Sequence, residues 1–373
     1  MKSYSLFSVL FFSLLLVSCA TGRKNSFWAN GAATFDVQEL FSDERFPNIV
    51  VGTDGTVLAS WGREKYRVRR SEDGGKTWGP EIIVANPGFQ GGGTLVDENS
   101  GDILLFVEEH HPVAPLTVYR SKDQGKSWSP EQVEIRPNSK GHIPSMHMNE
   151  HGLTLKNGPY AGRLIRATRY YGGGNDRAFW DDHYTNAIYS DDGGKTWQAS
   201  EPFPAKGTGE AAIAELSGGM LYYNSRRHKS TDGLDPRRRY GAWSKDGGKT
   251  WEGLSVIEAL PDGDQARDYG LMGGLVRLPI EGHDILLFSN IESPEGRSNG
   301  TVWASFDGGK TWPVKRQVEP GSFAYSSMTA GRPGTASEGL IYLLYESDGG
   351  AKVARFNLAW VTNGRHWKEF IGK

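Results

Sequence analysis

Cysteine is almost absent from this chain: Cys19 is the only one in 373 residues, so a disulfide-stapled scaffold is excluded. A surplus of either charge is absent too. Lys and Arg number 42 against 44 Asp and Glu, which leaves no global positive field of the kind that draws a protein to nucleic acid. Beyond the first twenty residues no long apolar run occurs, and no stretch of helix length carries a 3.6-residue apolar period. What the chain has in quantity is glycine, 49 residues, and aromatic rings, 12% of the sequence. With 37% hydrophobic residues it can bury a large core, which argues against disorder.

Residues 1–18 carry one Lys near the start and an apolar stretch from Leu6 to Val17. That pattern fits a secretory signal and is too short for a comfortable membrane span. Its end, Leu16-Val17-Ser18-Cys19, resembles the lipobox of bacterial lipoproteins. The resemblance implies lipidation at Cys19, a polar tether over residues 19–26, and a globular part over 27–373. With Ala20 following the cysteine, it also implies anchoring in the outer membrane of a Gram-negative cell, on the periplasmic side or at the surface.

One octapeptide, Ser-x-Asp-x-Gly-x-Thr/Ser-Trp, recurs at Ser71–Trp78, Ser121–Trp128, Ser190–Trp197, Ser244–Trp251 and Ser305–Trp312. The spacings are 50, 69, 54 and 61 residues, each long enough for a four-stranded antiparallel sheet with its loops. The chemistry is that of a turn. Asp accepts from backbone amides further on, Gly supplies positive φ, and Trp packs back between neighbouring sheets. Each copy follows a β-rich run, so the box is expected to join the third and fourth strands of its unit. All five Asp residues therefore have a structural assignment and none a catalytic one.

The octapeptide is similar to the Asp-box, or bacterial neuraminidase repeat, of sialidases and a few other secreted propellers. Roughly 345 residues in units of about 58 predict an all-β, six-bladed β-propeller of four-stranded blades, the last closed by the N-terminal strand. The resemblance to sialidases extends beyond the boxes. It includes Arg45-Phe46-Pro47-Asn48 ahead of a strand, Gly162-Arg163-Leu164, and Gly209-Glu210-Ala211 leading to Tyr222-Tyr223-Asn224-Ser225-Arg226. Further on come Phe288-Ser289-Asn290 with Arg297, and Phe323-Ala324-Tyr325-Ser326-Ser327-Met328 followed by Leu344-Tyr345-Glu346.

This resemblance implies a retaining exo-α-sialidase that removes terminal α-linked sialic acid from glycoconjugates. Arg45, Arg226 and Arg297 would clamp the sugar carboxylate, since converging guanidinium groups pair with a carboxylate bidentately. That carboxylate repels an Asp or Glu nucleophile, and sialidases attack with a tyrosine instead. Tyr325 would be the nucleophile and Glu210 the acceptor of its proton. Two alternatives remain open at this point: hydrolysis of a related 2-keto acid or other anionic sugar, and a non-catalytic glycan-binding propeller.

The chain departs from the family pattern where the acid/base Asp is expected. Residues 59–70 run Ala-Ser-Trp-Gly-Arg-Glu-Lys-Tyr-Arg-Val-Arg-Arg directly into the first box, without an Asp. Arg63 can serve as a further binding arginine, and Glu64 is the nearest carboxyl group for the acid. Glu108-Glu109-His110-His111, Asp181-Asp182-His183, Trp180 and Tyr170-Tyr171 are expected to line the pocket. Adjacent histidines on a strand face opposite ways, and no third ligand is placed by spacing, so no metal is assigned. No cofactor is implied. Sialylated or other anionic glycans are the expected partners of a monomer whose membrane contact runs only through its lipid.

Overall fold

A computed structural model describes Met1, Trp28 and residues 31–147, 149–229, 237–263 and 270–372. Cys19, the tether and, apart from Met1, the expected signal segment fall outside them. Among the described residues no helix is long and apolar enough to cross a membrane.

The strands form six separate sheets, the blades of a propeller. Blade 1 comprises Pro47–Val51, Val57–Trp61, Tyr66–Ser71 and Ile82–Ala85, and blade 2 comprises Phe89–Val96, Ile103–Glu108, Leu116–Ser121 and Ser129–Glu131. Blade 3 holds Leu153–Thr154, Leu164–Tyr170, Tyr184–Ser190 and Thr196–Ala199, and blade 4 holds Thr208–Glu215, Leu221–Arg227, Arg238–Ser244 and Glu252–Pro261. Blade 5 contains Leu275–Arg277, Leu286–Ile291, Ser298–Ser305 and Val314–Ser322. Blade 6 takes Ser326–Ala330, Ile341–Ser347 and Gly350–Phe356 from the C-terminal end, and its outer strand is Phe35–Phe41. Phe35 pairs with Phe356 and Asp36 with Arg355, so the ring is closed by the N-terminal strand, as the repeat count predicts. One feature exceeds the expectation: Glu134–Arg136 adds a fifth strand, parallel to Thr196–Ala199, at the outer edge of blade 3.

Each box occupies the turn between the third and fourth strands of blades 1 to 5. In the first, Asp73 Oδ1 accepts from the Lys76 and Thr77 amides at 3.0 and 2.9 Å, and Oδ2 accepts from the Thr77 hydroxyl at 2.7 Å. Ser71 Oγ donates to Asp73 at 2.8 Å and accepts from the Gly75 amide at 2.8 Å. Gly74 and Gly75 have φ of 74° and 80°, a region that side chains with a Cβ rarely enter. The backbone and hydroxyl of Thr77 hold the Asp73 carboxyl well below the usual range. Blade 6 has no box because its third and fourth strands come from opposite ends of the chain, with no turn to carry one.

The box tryptophans fill the seams between blades. Trp128 packs with Val50, Leu58 and Val68 of blade 1 and with Ile103 and Leu105 of blade 2. Trp197, Trp251 and Trp312 do the same at the next three seams. Burying a side chain of this size contributes on the order of 2–3 kcal/mol. The boxes are thus the fastening of the ring. Replacing Asp192, which accepts from Lys195, Thr196 and Ser190, by Ala should lower unfolding stability by roughly 1–3 kcal/mol while leaving kcat within twofold. Chemical denaturation beside steady-state kinetics checks both halves.

Candidate active site

Antiparallel order places the loops between second and third strands, and the entries to the first strands, at the end of the blades opposite the boxes. Arg45 enters blade 1 and Tyr325 enters blade 6. Glu210 lies on the first strand of blade 4, where the ladder slips between Thr208 and Ala211; such a bulge re-aims a side chain. Arg63, His111, Trp180, His228 and Arg297 come from the second-to-third-strand loops of blades 1 to 5 in turn.

Tyr325 is the point on which these elements converge. Its hydroxyl donates to Glu210 Oε1 at 3.0 Å. Arg226 Nη1 donates to Glu210 Oε2 and reaches the phenolic oxygen at 3.5 Å. The guanidinium carbons of Arg45 and Arg297 lie 5.1 and 5.2 Å from the Tyr325 ring centroid. Three arginines drawn from blades 1, 4 and 5 therefore surround one phenol. Tyr325 is 6% exposed, and the Arg226 and Glu210 side chains are 0% and 4% exposed. The guanidinium groups of Arg45 and Arg297 remain partly open to solvent, where a ligand carboxylate can reach them.

Arg45 is held by Glu346, which sequence reasoning named only as part of a segment. Arg45 Nε and Nη2 donate to Glu346 Oε1 and Oε2 at 3.1 and 2.8 Å, and the Phe46 amide donates to Oε1 at 3.2 Å. Burial alone would lower the Arg45 pKa, but the ion pair with Glu346 outweighs it and the net shift is upward. Phe46 sits at φ 82° and Glu44 at 62°, conformations that cost of order 1–3 kcal/mol each for such residues. Glu346 thus orients both the guanidinium and the strained loop that carries it. Glu346→Gln should raise KM roughly 10- to 100-fold through the loss of a charge-assisted fork, with kcat nearly unchanged. A fall in kcat at constant KM would contradict this positioning role.

Beside this cluster is a cavity of about 240 Å3, lined by Arg45, Arg63, Phe89, His111, His147, Arg169, Tyr171, Trp180, Glu210, His228 and Tyr325 among others. Arg63 reaches it as expected. Glu64 does not: it is exposed in the hairpin between Trp61 and Tyr66, with its amide donating to Glu44 Oε2 at 3.1 Å. The hairpin is too short for both neighbours to face inward, so the acid expected at Glu64 is not brought to the cavity.

Of the two mixed carboxylate and histidine segments, each sends one part inward. Glu108 is buried behind the wall and accepts from Ser145 Oγ and, at 3.1 Å, from the Met146 amide; burial pushes its pKa up to about 7. Glu109 and His110 are exposed, and only His111 lines the cavity. Asp181 and Asp182 pair with Lys229 and Lys206 on the surface. His183 is buried and bonds Arg169 Nη2 at 2.7 Å. Tyr171 and Trp180 line the cavity, whereas Tyr170 stacks on His142 beside an adjoining groove. Arg163 belongs to the opposite face, where it grips Asp191 at 2.7 and 2.8 Å.

Sequence reasoning missed Phe89, His147, Arg169 and His228. Arg169 is 2% exposed, lies with its guanidinium carbon 4.4 Å from the Tyr171 ring centroid, and makes no ion pair among the described residues. It is the penultimate residue of the second strand of blade 3, Leu164–Tyr170, as Arg226 is of the second strand of blade 4, Leu221–Arg227, and that parallel is the signal that could have found it.

The arrangement suits nucleophilic substitution at a carbon that bears a carboxylate. The phenol has a base in place, and the cations that would hold the carboxylate ring it.

Comparison with known proteins agrees with this geometry. The BNR repeat-like domain family matches residues 155–337. A sialidase of Micromonospora viridifaciens is 33% identical over 361 residues, covering 87% of this chain and 53% of that protein. The chain thus spans about half the length of that relative. Among solved structures, the Hadza microbial sialidase Hz136 matches with a TM-score of 0.67 at 25% identity, over 85% of this chain and 66% of that one. The intramolecular trans-sialidase of Ruminococcus gnavus has the same fold, with a TM-score of 0.62 at 18% identity over 86% and 95% of the two chains.

Proposed function

From its likeness to bacterial sialidases, we propose that the chain is a propeller of that family and a retaining exo-α-sialidase acting on terminal α-linked sialic acid. The observation that carries this is the 3.0 Å bond from the Tyr325 hydroxyl to Glu210 inside a ring of three arginines. A glycan-binding propeller needs the arginines but has no use for a phenol with a base attached.

In the proposed reaction the sialoside carboxylate lies between Arg45, Arg226 and Arg297. Tyr325 Oη attacks the anomeric carbon as the glycosidic bond breaks, and its proton passes to Glu210. Water then attacks the same carbon from the opposite side, the bond to Tyr325 breaks, and Glu210 returns the proton. Two inversions give net retention. The buried Arg226 donates to Glu210 and holds its carboxyl group aimed at Tyr325, because an unpaired charge at that depth would be costly.

A second reading, an enzyme for another 2-keto acid sugar or one bearing a further anionic group, is favoured by Arg169. A monoanionic sugar leaves this buried guanidinium without a counter-charge, whereas a second acidic group on the ligand would supply one. The lipobox-like end at Cys19 supports an enzyme tethered to the cell envelope.

The test compares 3′-sialyllactose, the methylumbelliferyl sialoside and the corresponding ketosides of other nonulosonic acids as substrates. Release of free sialic acid with retained configuration supports the first reading. Turnover confined to a different acidic sugar replaces it with the second, and saturable binding without turnover of any of them replaces both with a binding protein.

A further inference from the structure

A natural sialoside has a sugar alkoxide as leaving group, and protonating it is worth about 10²–10⁴ in rate. The proton must come from a group at the mouth of the cavity, where the aglycone departs. Among the described residues Glu210 is the only carboxylic acid lining the cavity, and its two oxygens are occupied by Tyr325 and Arg226. The other cavity groups of a type whose ordinary pKa lies near neutrality are three imidazoles: His111, His147 and His228.

They differ in what surrounds them. His228 is 4% exposed, packed edge-on against Trp180 at 3.9 Å between ring centroids. Burial first, and then the charges of Arg226, Arg169, His183 and Arg177, push its pKa far down, so it cannot carry a proton to substrate. His147 is 5% exposed and wedged between Phe89 and His111, with ring centroids 4.9 and 4.5 Å away. His111 alone of the three stands at the rim with one side in solvent. Its Nδ1 lies 3.2 Å from the Pro112 carbonyl oxygen, an acceptor only, so Nδ1 keeps its hydrogen in both charge states. The nitrogen that gains and loses a proton is therefore Nε2.

We infer that His111 is the general acid and base of this site. The assignment rests on the sialoside reading above. In the first step His111 Nε2–H donates its proton to the glycosidic oxygen as the bond to the anomeric carbon breaks and Tyr325 Oη bonds to that carbon. The aglycone leaves as an alcohol and the imidazole is neutral. In the second step the neutral Nε2 takes a proton from water as the water oxygen bonds to the carbon and Tyr325 departs. His111 is then an imidazolium again, and the proton count closes.

The groups facing His111 are His147 and Tyr171 across the cavity, Phe89, and the charges of Arg169, Glu210 and Arg63. Burial first, then Arg169 and Arg63 against Glu210 and the Pro112 carbonyl, place its pKa below the ordinary 6.5. An acid must be protonated to act, so kcat/KM for sialyllactose should fall as pH rises through that value. Hydrolysis of the methylumbelliferyl sialoside, whose leaving group scarcely needs a proton, should lack that limb.

His111→Gln and His111→Asp test the assignment with both substrates, and kcat/KM is the readout because it reports the bond-breaking step. His111→Gln should slow sialyllactose by about 10²–10⁴ and change the activated substrate by only a few-fold. His111→Asp, which restores a proton donor, should recover part of the sialyllactose rate with its pH limb moved lower. Equal losses on both substrates, an unchanged sialyllactose rate, or the same substrate split produced by His147→Gln instead would overturn the assignment. Wild-type protein that turns over neither substrate would overturn the sialoside reading itself, and the role of His111 with it.

Discussion

Tyr325→Phe should lower kcat/KM for every glycoside the enzyme accepts by on the order of 10⁴–10⁶, the range seen when a nucleophile that works with its base is removed. The loss should not depend on the leaving group, because the missing bond to the anomeric carbon is needed whatever departs. It should also leave the fold intact. The Tyr325 ring is held by Phe46 at 6.0 Å between centroids and by the guanidinium groups of Arg45 and Arg297, and phenylalanine keeps all of these contacts. The bonds of the hydroxyl to Glu210 and Arg226 disappear. Inhibitor binding should survive for the same reason, so a variant that binds a sialic acid analogue yet does not turn over is the expected signature. Turnover within tenfold of wild type would remove Tyr325 from the mechanism.

Glu210→Gln should cost about 10²–10⁴ in kcat/KM, again on both natural and activated substrates, because it withdraws the acceptor of the phenolic proton. That equal loss separates Glu210 from His111, whose replacement discriminates between leaving groups. A second effect follows from burial. Glu210 faces Arg226, whose side chain is 0% exposed, and breaking a buried ion pair on one side destabilises by roughly 3 kcal/mol. The variant should therefore melt earlier than Tyr325→Phe. Because phenol and carboxylate act as a unit, the double variant should be scarcely slower than Tyr325→Phe alone. Additive losses would mean that the two residues serve separate steps.

Most of the architecture was legible because the box is a local turn. Its Ser, Asp, Gly and Thr satisfy one another within the seven residues from Ser71 to Thr77, as the Asp73 bonds illustrate, so the motif reads the same wherever it occurs. Blade 6 has no such turn and was countable only from spacing. The parallel strand Glu134–Arg136 carries no local signal at all, since it is held by an edge supplied sixty residues later.

The site was legible where residues enter the blades at strand ends. Arg45, Glu210, Arg226 and Arg297 all gather around the Tyr325 side chain. What stayed hidden is long-range. Arg45 and Glu346 are 301 residues apart, and nothing near either residue says that they meet. The loops between second and third strands have no periodicity, so the direction of Glu64, His110 or His111 could not be read from their order. Two adjacent histidines looked alike in the sequence, and only the turn of the chain at Pro112 distinguishes them. The same holds for Asp181 and Asp182, which looked like pocket groups and are surface ion pairs.

The most direct measurement of the central claim is trapping of the covalent intermediate. A 2,3-difluoro sialic acid carries fluoride as a leaving group that needs no acid, and its second fluorine slows release of the glycosyl enzyme. Intact mass followed by peptide mapping should find one glycosyl unit, on Tyr325, absent from Tyr325→Phe and removed over time with return of activity. An adduct on any other residue, or inhibition without a covalent adduct, would contradict the tyrosine mechanism.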